Sequence, residues 1–270
     1  MTAGVSIFSQ ASSAVWTLNT GTPNTAYPIA NLTDLINICN PFKFTPVANA
    51  AEFAFVLPAP AMIQFLAFIR HTISTGTMRV RLWSDNNPDP VGNAAHIVYD
   101  STAVNVWPGG SGGLIAGYSP TRPFLLPAPV TAQSGLITFA SINPTSRSIG
   151  GFEISQFLPW DISEGAEFGF STDAPSPIVM GGGDDTPVTN LIRTANGQTD
   201  FLSTDISTRA SIDFMQTTGL QRPFVFVQEY TDATTWARWC FLARNSSLPP
   251  LIGAIFGHDQ FQFRLKEFVR

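Results

Sequence analysis

The chain has 270 residues and a formal net charge of −5; charged residues make up only 12%, Gly and Pro number 21 each, Phe numbers 22, and Lys occurs only at Lys43 and Lys266. So little charge excludes long helices with a solvated Lys/Glu face. The 14 basic residues are scattered without a run of three, which excludes the basic stripe that binds nucleic acid.

The hydrophobic pattern is that of strands. Residues 6–18 mix small and apolar side chains and read as an opening strand. Phe53, Phe55 and Leu57 alternate with other residues as a second strand that Pro58 ends. Residues 61–69 form a nearly continuous apolar run. Arg70, His71, Thr72, Ser74 and Gly76 break it, with Gly76 able to supply a positive φ and His71 read as a cap of the turn. Met78, Val80 and Leu82 then alternate with Thr77, Arg79 and Arg81. This period of two points the apolar three inward and the arginines to solvent or a partner.

Residues 86–120 read as loops around one short strand at 97–100, with a Gly-rich stretch from Trp107 to Gly113. Strands are expected at 136–139 and 151–157, and a domain boundary near residue 160. Beyond it, strands are expected at 167–171, 208–214 and 222–227. A turn at 230–234 then leads to a hairpin partner at 235–242, and a last strand carries Phe261, Phe263 and Leu265.

Several segments resemble the discoidin or galactose-binding-like jelly roll of phage tail proteins. Tyr27-Pro28-Ile29-Ala30-Asn31-Leu32-Thr33-Asp34 is similar to a Y-P-A-S-N-L-x-D segment. Arg70-His71-Thr72-Ile73-Ser74 stands where the family has a G-H-N-L-S turn, and Thr77-Met78-Arg79-Val80-Arg81-Leu82 resembles its a-T-V-R-V-R strand. Where relatives often carry a Trp beneath the jelly roll, this chain has Phe42 and Phe44. The order of the later strands matches as well. The resemblance implies an all-β chain: a galactose-binding-like jelly-roll sandwich over 1–160 and a smaller β-rich, tail-docking domain over 161–270. It implies a virion protein of the tail tip or baseplate, made in the host cytoplasm, a symmetric homo-oligomer among other tail subunits. The alternative it carries is a carbohydrate-binding or receptor-binding module that touches a host-surface glycan.

The chemistry-bearing residues are few. His71, His96 and His258 lie in no zinc motif, and no G-x-S-x-G elbow is present. Glycoside hydrolysis needs two carboxylates about 5–10 Å apart; the densest acidic loop is Asp184-Asp185, read as solvated. Asn31 and Asp34 are the positions for a calcium of the fold, too thin a set to assign a metal. No cofactor, no enzymatic activity and no membrane span are expected; no apolar run reaches about 18 residues, and no secretion leader is apparent. Cys39 and Cys240 are expected to be buried free thiols, a disulfide being the alternative. Candidate sugar-stacking residues are Trp83, Trp107 and Tyr118, which otherwise fill the core or an interface. Candidate partner-interface residues are Phe224, Phe226, Trp236 and Trp239.

Overall fold

The computed structural model describes residues 2–107, 120–171, 192–199, 202–203, 213–247, 251–255 and 258–268. In chain order the elements are β1 (Thr2–Ile7), β2 (Val15–Thr20), β3 (Thr22–Pro23), β4 (Phe42–Thr45), β5 (Ala51–Ile69), β6 (Thr77–Trp83), β7 (Ile97–Asp100), β8 (Val104–Asn105), β9 (Arg122–Ala140), β10 (Arg147–Ile149) and β11 (Gly151–Asp161). There follow β12 (Glu167–Ser171), β13 (Ile192–Gln198), β14 (Leu202–Ser203), α1 (Asp213–Thr218), β15 (Phe224–Gln228), α2 (Ala233–Trp239), β16 (Cys240–Asn245), β17 (Leu251–Ile255) and β18 (His258–Glu267). The chain is all-β, and among the described residues its α-helices have only six and seven residues. It divides into two compact units, Thr2–Trp160 with Pro223–Leu242, and Asp161–Arg222 with Ala243–Val269. The segment 223–242, grouped by the sequence with the C-terminal half, therefore belongs with the N-terminal unit.

Two strands of 19 residues, β5 and β9, organise the first unit. They pair antiparallel from Ala51↔Phe139 to Phe68↔Arg122. The first half of β5 also takes β2, from Val15↔Val56, and the second half of β9 takes β6, from Thr77↔Ala140. The second half of β5 instead pairs with β11, from Gly151↔Ile69, and beyond β11 lie β1 and β15. Each long strand thus serves two sheets, and the sheets pack face to face. Phe68 of one layer meets Phe139 of the other at 5.1 Å between ring centroids, and Trp16 meets Phe152 at 4.4 Å. Phe53, Phe55, Leu66, Val80, Phe152 and Ile154 are fully buried between them. A three-stranded sheet, β10-β4-β3, adds Phe42 and Phe44, whose rings stack at 5.7 Å and meet Phe53 edge-on.

The crossing between layers explains why two expected strands fused into one. Pro58 does not end a strand. The ladder skips residues 57–60 of β5 and, symmetrically, residues 126–129 of β9. Both excursions read Leu-Pro-Ala-Pro, and each begins an eight-residue repeat: Leu57-Pro58-Ala59-Pro60-Ala61-Met62-Ile63-Gln64 and Leu126-Pro127-Ala128-Pro129-Val130-Thr131-Ala132-Gln133. Proline donates no ladder hydrogen bond and sits where none is made. The bulges bend both strands at once. Gln133 Nε2 fastens the first arch by donating to the Leu57 carbonyl at 3.4 Å. Pro58, Ala59, Pro60, Pro127, Ala128 and Pro129 are exposed.

β6 has the expected register. Met78, Val80 and Leu82 are fully buried, while Arg79 is exposed and bound to Asp100 by two hydrogen bonds of 2.8 and 2.6 Å. Gly76 has φ +98°, and a Cβ there would stand 2.4 Å from the Ala140 carbonyl oxygen. His71 does not cap the turn at the surface; it is buried to 1% exposure against Trp107, with ring centroids 4.9 Å apart. Both cysteines are free, but Cys39 is exposed and only Cys240 is buried.

In the second unit β12, β13 and β18 form an antiparallel sheet, and residues 243–245 pair with 265–267. Ala195, Phe263 and Leu265 are buried on one face, while Glu167, Asn196 and Arg264 stand in register on the other. Arg193 and Glu267 form an ion pair at 2.9 Å.

Two segments differ from the sequence reading. Of residues 235–242, expected as a strand beside 222–227, 235–239 are helical, and only 240–242 are strand, in β16 next to β15. Asp232 starts this helix, its carbonyl accepting from Trp236 N–H at 3.0 Å and its carboxylate from the Thr235 hydroxyl at 2.7 Å. Of the strand expected at 208–214, residues 213–214 open helix α1, and 208–212 lie outside the described residues.

Candidate functional site

The first half of β9 is a sheet edge. Residues 122–125 pair with β5, whereas the ladder to β6 begins only at Ser134. Along this stretch lies a cavity of about 220 Å³ lined by Phe65, Val104, Arg122, Pro123, Phe124, Leu125, Val227, Tyr230 and Trp236. Trp236 is carried there by α2, Val227 by β15 and Tyr230 by the turn between them. Tyr230 meets Phe157 edge-on at 5.1 Å, and Phe157 in turn stacks on Phe65 at 5.4 Å. The aromatic wall is therefore braced by the sheet behind it. Tyr230 is half-buried, whereas Phe65, Phe124 and Trp236 are buried.

Arg122 is the only charged residue in this lining. It is 9% exposed. Its guanidinium lies over the Trp236 ring, with Cζ 4.5 Å from the centroid. One terminal nitrogen donates to the Asn105 carbonyl at 3.2 Å and the other to the Pro123 carbonyl, while Nε has no partner. Arg122 takes part in none of the ion pairs of the described residues. Burial pushes its pKa down to about 10, so it stays charged at neutral pH. His71 is held neutral: burial first, and the Arg122 charge second, push it down to about 3.

The second unit carries another concavity, an open groove of about 300 Å³ on the β12-β13-β18 face lined by polar groups such as Glu167, Asn196, Gln262 and Arg264. Its one aromatic lining residue, Phe263, is 1% exposed, so it presents no ring for a ligand to stack on.

The residues picked from sequence fall elsewhere, with one exception. Trp83 is fully buried, its Nε1 donating to the Asn93 carbonyl at 3.1 Å. Trp107 is 2% exposed, its Nε1 donating to the Ile73 carbonyl at 2.6 Å. Neither offers a ring face to a ligand, because both rings complete the packing at strand ends. Tyr118, Asp184 and Asp185 lie outside the described residues. Phe224 and Phe226 are buried within the chain rather than on a face open to a partner, and Trp239 is half-buried. Trp236 alone lines the cavity. Among the described residues no three His, Cys, Asp or Glu side chains cluster as metal ligands. Asp34 Oδ1 instead accepts the backbone N–H groups of Ile36 and Asn37. Sequence reasoning missed Arg122 and Tyr230. The available signal for Arg122 was a lone cation heading an otherwise apolar run, Arg122-Pro123-Phe124-Leu125-Leu126.

No protein-family model and no curated protein matches the sequence. Solved structures do resemble it. A family 32 carbohydrate-binding module of Clostridium perfringens NanJ, in complex with galactose, is 11% identical, covers 58% of this chain and 100% of its own, with a TM-score of 0.40. Chitosan-binding module 2 of a Paenibacillus chitosanase/glucanase, in complex with chitotriose, is 12% identical over 53% of this chain and 97% of its own, also with a TM-score of 0.40. A further Clostridium perfringens module of this kind, in complex with GalNAc-β-1,3-galactose, is 6% identical, covering 54% and 98%, with a TM-score of 0.38. The assignment of the all-β sandwich rests on the strand registers above.

Proposed function

We propose that this chain is a non-catalytic saccharide-binding module whose site is the Arg122–Trp236 cavity. One observation carries the reading: a cavity whose lining carries Phe124, Tyr230 and Trp236 also holds a cationic donor. Sugar rings bind through an apolar face laid on an aromatic ring and hydroxyls bonded to a few polar groups. At about 220 Å³ the cavity lies below the roughly 300 Å³ of a drug-sized pocket, which suits a single sugar unit. The lining contains no Asp or Glu, and hydrolysis of a glycosidic bond uses two. The test is a tryptophan-fluorescence titration of the full chain with a panel of neutral and acidic monosaccharides. At least one is expected to give a saturable change. Tyr230→Ala should weaken that binding by about three- to tenfold, the loss of one ring contact of roughly 0.5–1.5 kcal/mol. No saturable change with any sugar of the panel would refute the proposal.

The second reading is a structural subunit of a tailed-phage tip or baseplate, located in the virion. It is favoured by the two Leu-Pro-Ala-Pro arches, which expose six Pro and Ala residues, and by Met62 at 48% exposure. Neighbouring subunits of the particle would cover them. Mass spectrometry of purified particles that lacks this chain would rule the reading out.

A further inference from the structure

We infer that the ligand of this cavity carries a carboxylate, and that Arg122 receives it: the sugar unit is a uronic acid. This rests on the saccharide reading for the ring, while the demand for an anion has its own evidence. A guanidinium has five N–H donors. In Arg122 one bond goes to Asn105 O and one to Pro123 O, and Nε–H has no acceptor. Two carbonyl acceptors could be met by a neutral amide side chain, so these bonds do not call for a cation. The acidic group that acts on this charge is the buried Cys240 thiol, and its effect is smaller than that of burial. Arg122 is 9% exposed, and no carboxylate of the described residues lies within ion-pair distance of it.

Leaving a cation buried with no carboxylate of the described residues paired to it destabilises the empty protein. Around it stand Phe65, Val104, Pro123, Phe124, Leu125 and Val227, none of which can screen the charge. His71, neutral at physiological pH, adds no competing positive charge. The Trp236 ring covers one face of the guanidinium and Nε is closed off from solvent, which leaves the second N–H of each terminal nitrogen, along the Nη edge, as the donors a ligand can use. A planar carboxylate fits that edge through charge-assisted hydrogen bonds. A neutral hydroxyl in the same place would bring no opposite charge.

The experiment titrates the full chain with galacturonate, glucuronate, galactose, glucose and sodium sulfate, in wild type, Arg122→Gln and Arg122→Lys. One of the two uronates is expected to bind at least tenfold more tightly than its neutral counterpart. Arg122→Gln should weaken uronate binding at least tenfold, and by a larger factor than it weakens binding of the neutral sugar. Arg122→Lys, with charge but no planar fork, should fall between. Equal affinity of the wild type for uronate and neutral sugar would overturn the inference and leave the saccharide reading standing. Sulfate binding as tightly as the uronate would overturn it too, making this an inorganic-anion site. Binding of no sugar at all would remove both. The wild-type comparison decides the matter even if Arg122→Gln fails to fold.

Discussion

Val80→Asp is expected to yield no folded protein. Val80 is fully buried between the layers, paired with Ile137 on one side. Its backbone N–H donates to the Ser101 hydroxyl at 2.8 Å. A carboxylate at this position would face Met78, Leu82, Phe139 and the core behind them without a partner. An unpaired buried charge costs several kcal/mol even after relaxation, and the lost packing of the valine adds about 1–3 kcal/mol. The sum rivals the whole stability of an ordinary domain, roughly 5–15 kcal/mol. The control is Arg81→Ser, on the opposite face of the same strand. It removes a half-buried guanidinium and its 3.5 Å contact with Thr138 Oγ1, for which about 1 kcal/mol is expected. Circular dichroism and thermal melts separate the two. A cooperative melt for Val80→Asp near the wild-type temperature would mean that the register of β6 against β9 is wrong.

Glu153→Gln is expected to stabilise the protein above neutrality and to do nothing in acid. Glu153 lies on β11 and is fully buried: Ser9 Oγ donates to Oε2 at 2.9 Å, Oε1 has no hydrogen-bond partner, and Ser6 and Ser155 lie nearby. Burial raises its pKa to about 7, with the serine hydrogen bonds opposing that rise. The sign follows from proton counting. Below about pH 4 the carboxyl is protonated in folded and unfolded chains alike and costs nothing. Between about pH 4 and 7 the unfolded chain ionises first and binds fewer protons, so stability falls as pH rises. Above about pH 7 the cost has reached its full value, about 3 kcal/mol. Denaturant melts of wild type and variant should coincide near pH 4 and part by up to that amount at pH 8. A difference that is the same at both pH values would show that Glu153 is not the titrating group.

Legibility from sequence followed how much of the physics was local. The alternation in 77–83 fixes a face by itself, and β6 has the expected register. The same holds for Phe261, Phe263 and Leu265 on β18, all buried. What failed depended on partners far along the chain. Proline at 58 looked like a strand end, because only the opposed strand reveals that the ladder skips this stretch on both sides. The repeat beginning Leu57-Pro58-Ala59-Pro60 and Leu126-Pro127-Ala128-Pro129 was the readable sign of that double bulge. For 233–239 the apolar residues fit a strand, yet Asp232 directly before them was a helix-start signal. The site is the least legible part. Arg122 lies far along the chain from Tyr230 and Trp236, and nothing in the spacing of an isolated arginine tells that it will be buried with no carboxylate of the described residues paired to it.

The central claim is that ligand meets Arg122 and Trp236, and side-chain NMR reads both directly. In the full chain, the Arg122 Nε–H and Trp236 indole N–H resonances would be followed while galacturonate or glucuronate is added. Both should shift together along one saturating curve, with the buried indole of Trp83, which is not in the cavity lining, left in place. A saturating shift confined to other residues, such as those of the polar β12-β13-β18 face, with Arg122 and Trp236 unmoved, would contradict the account.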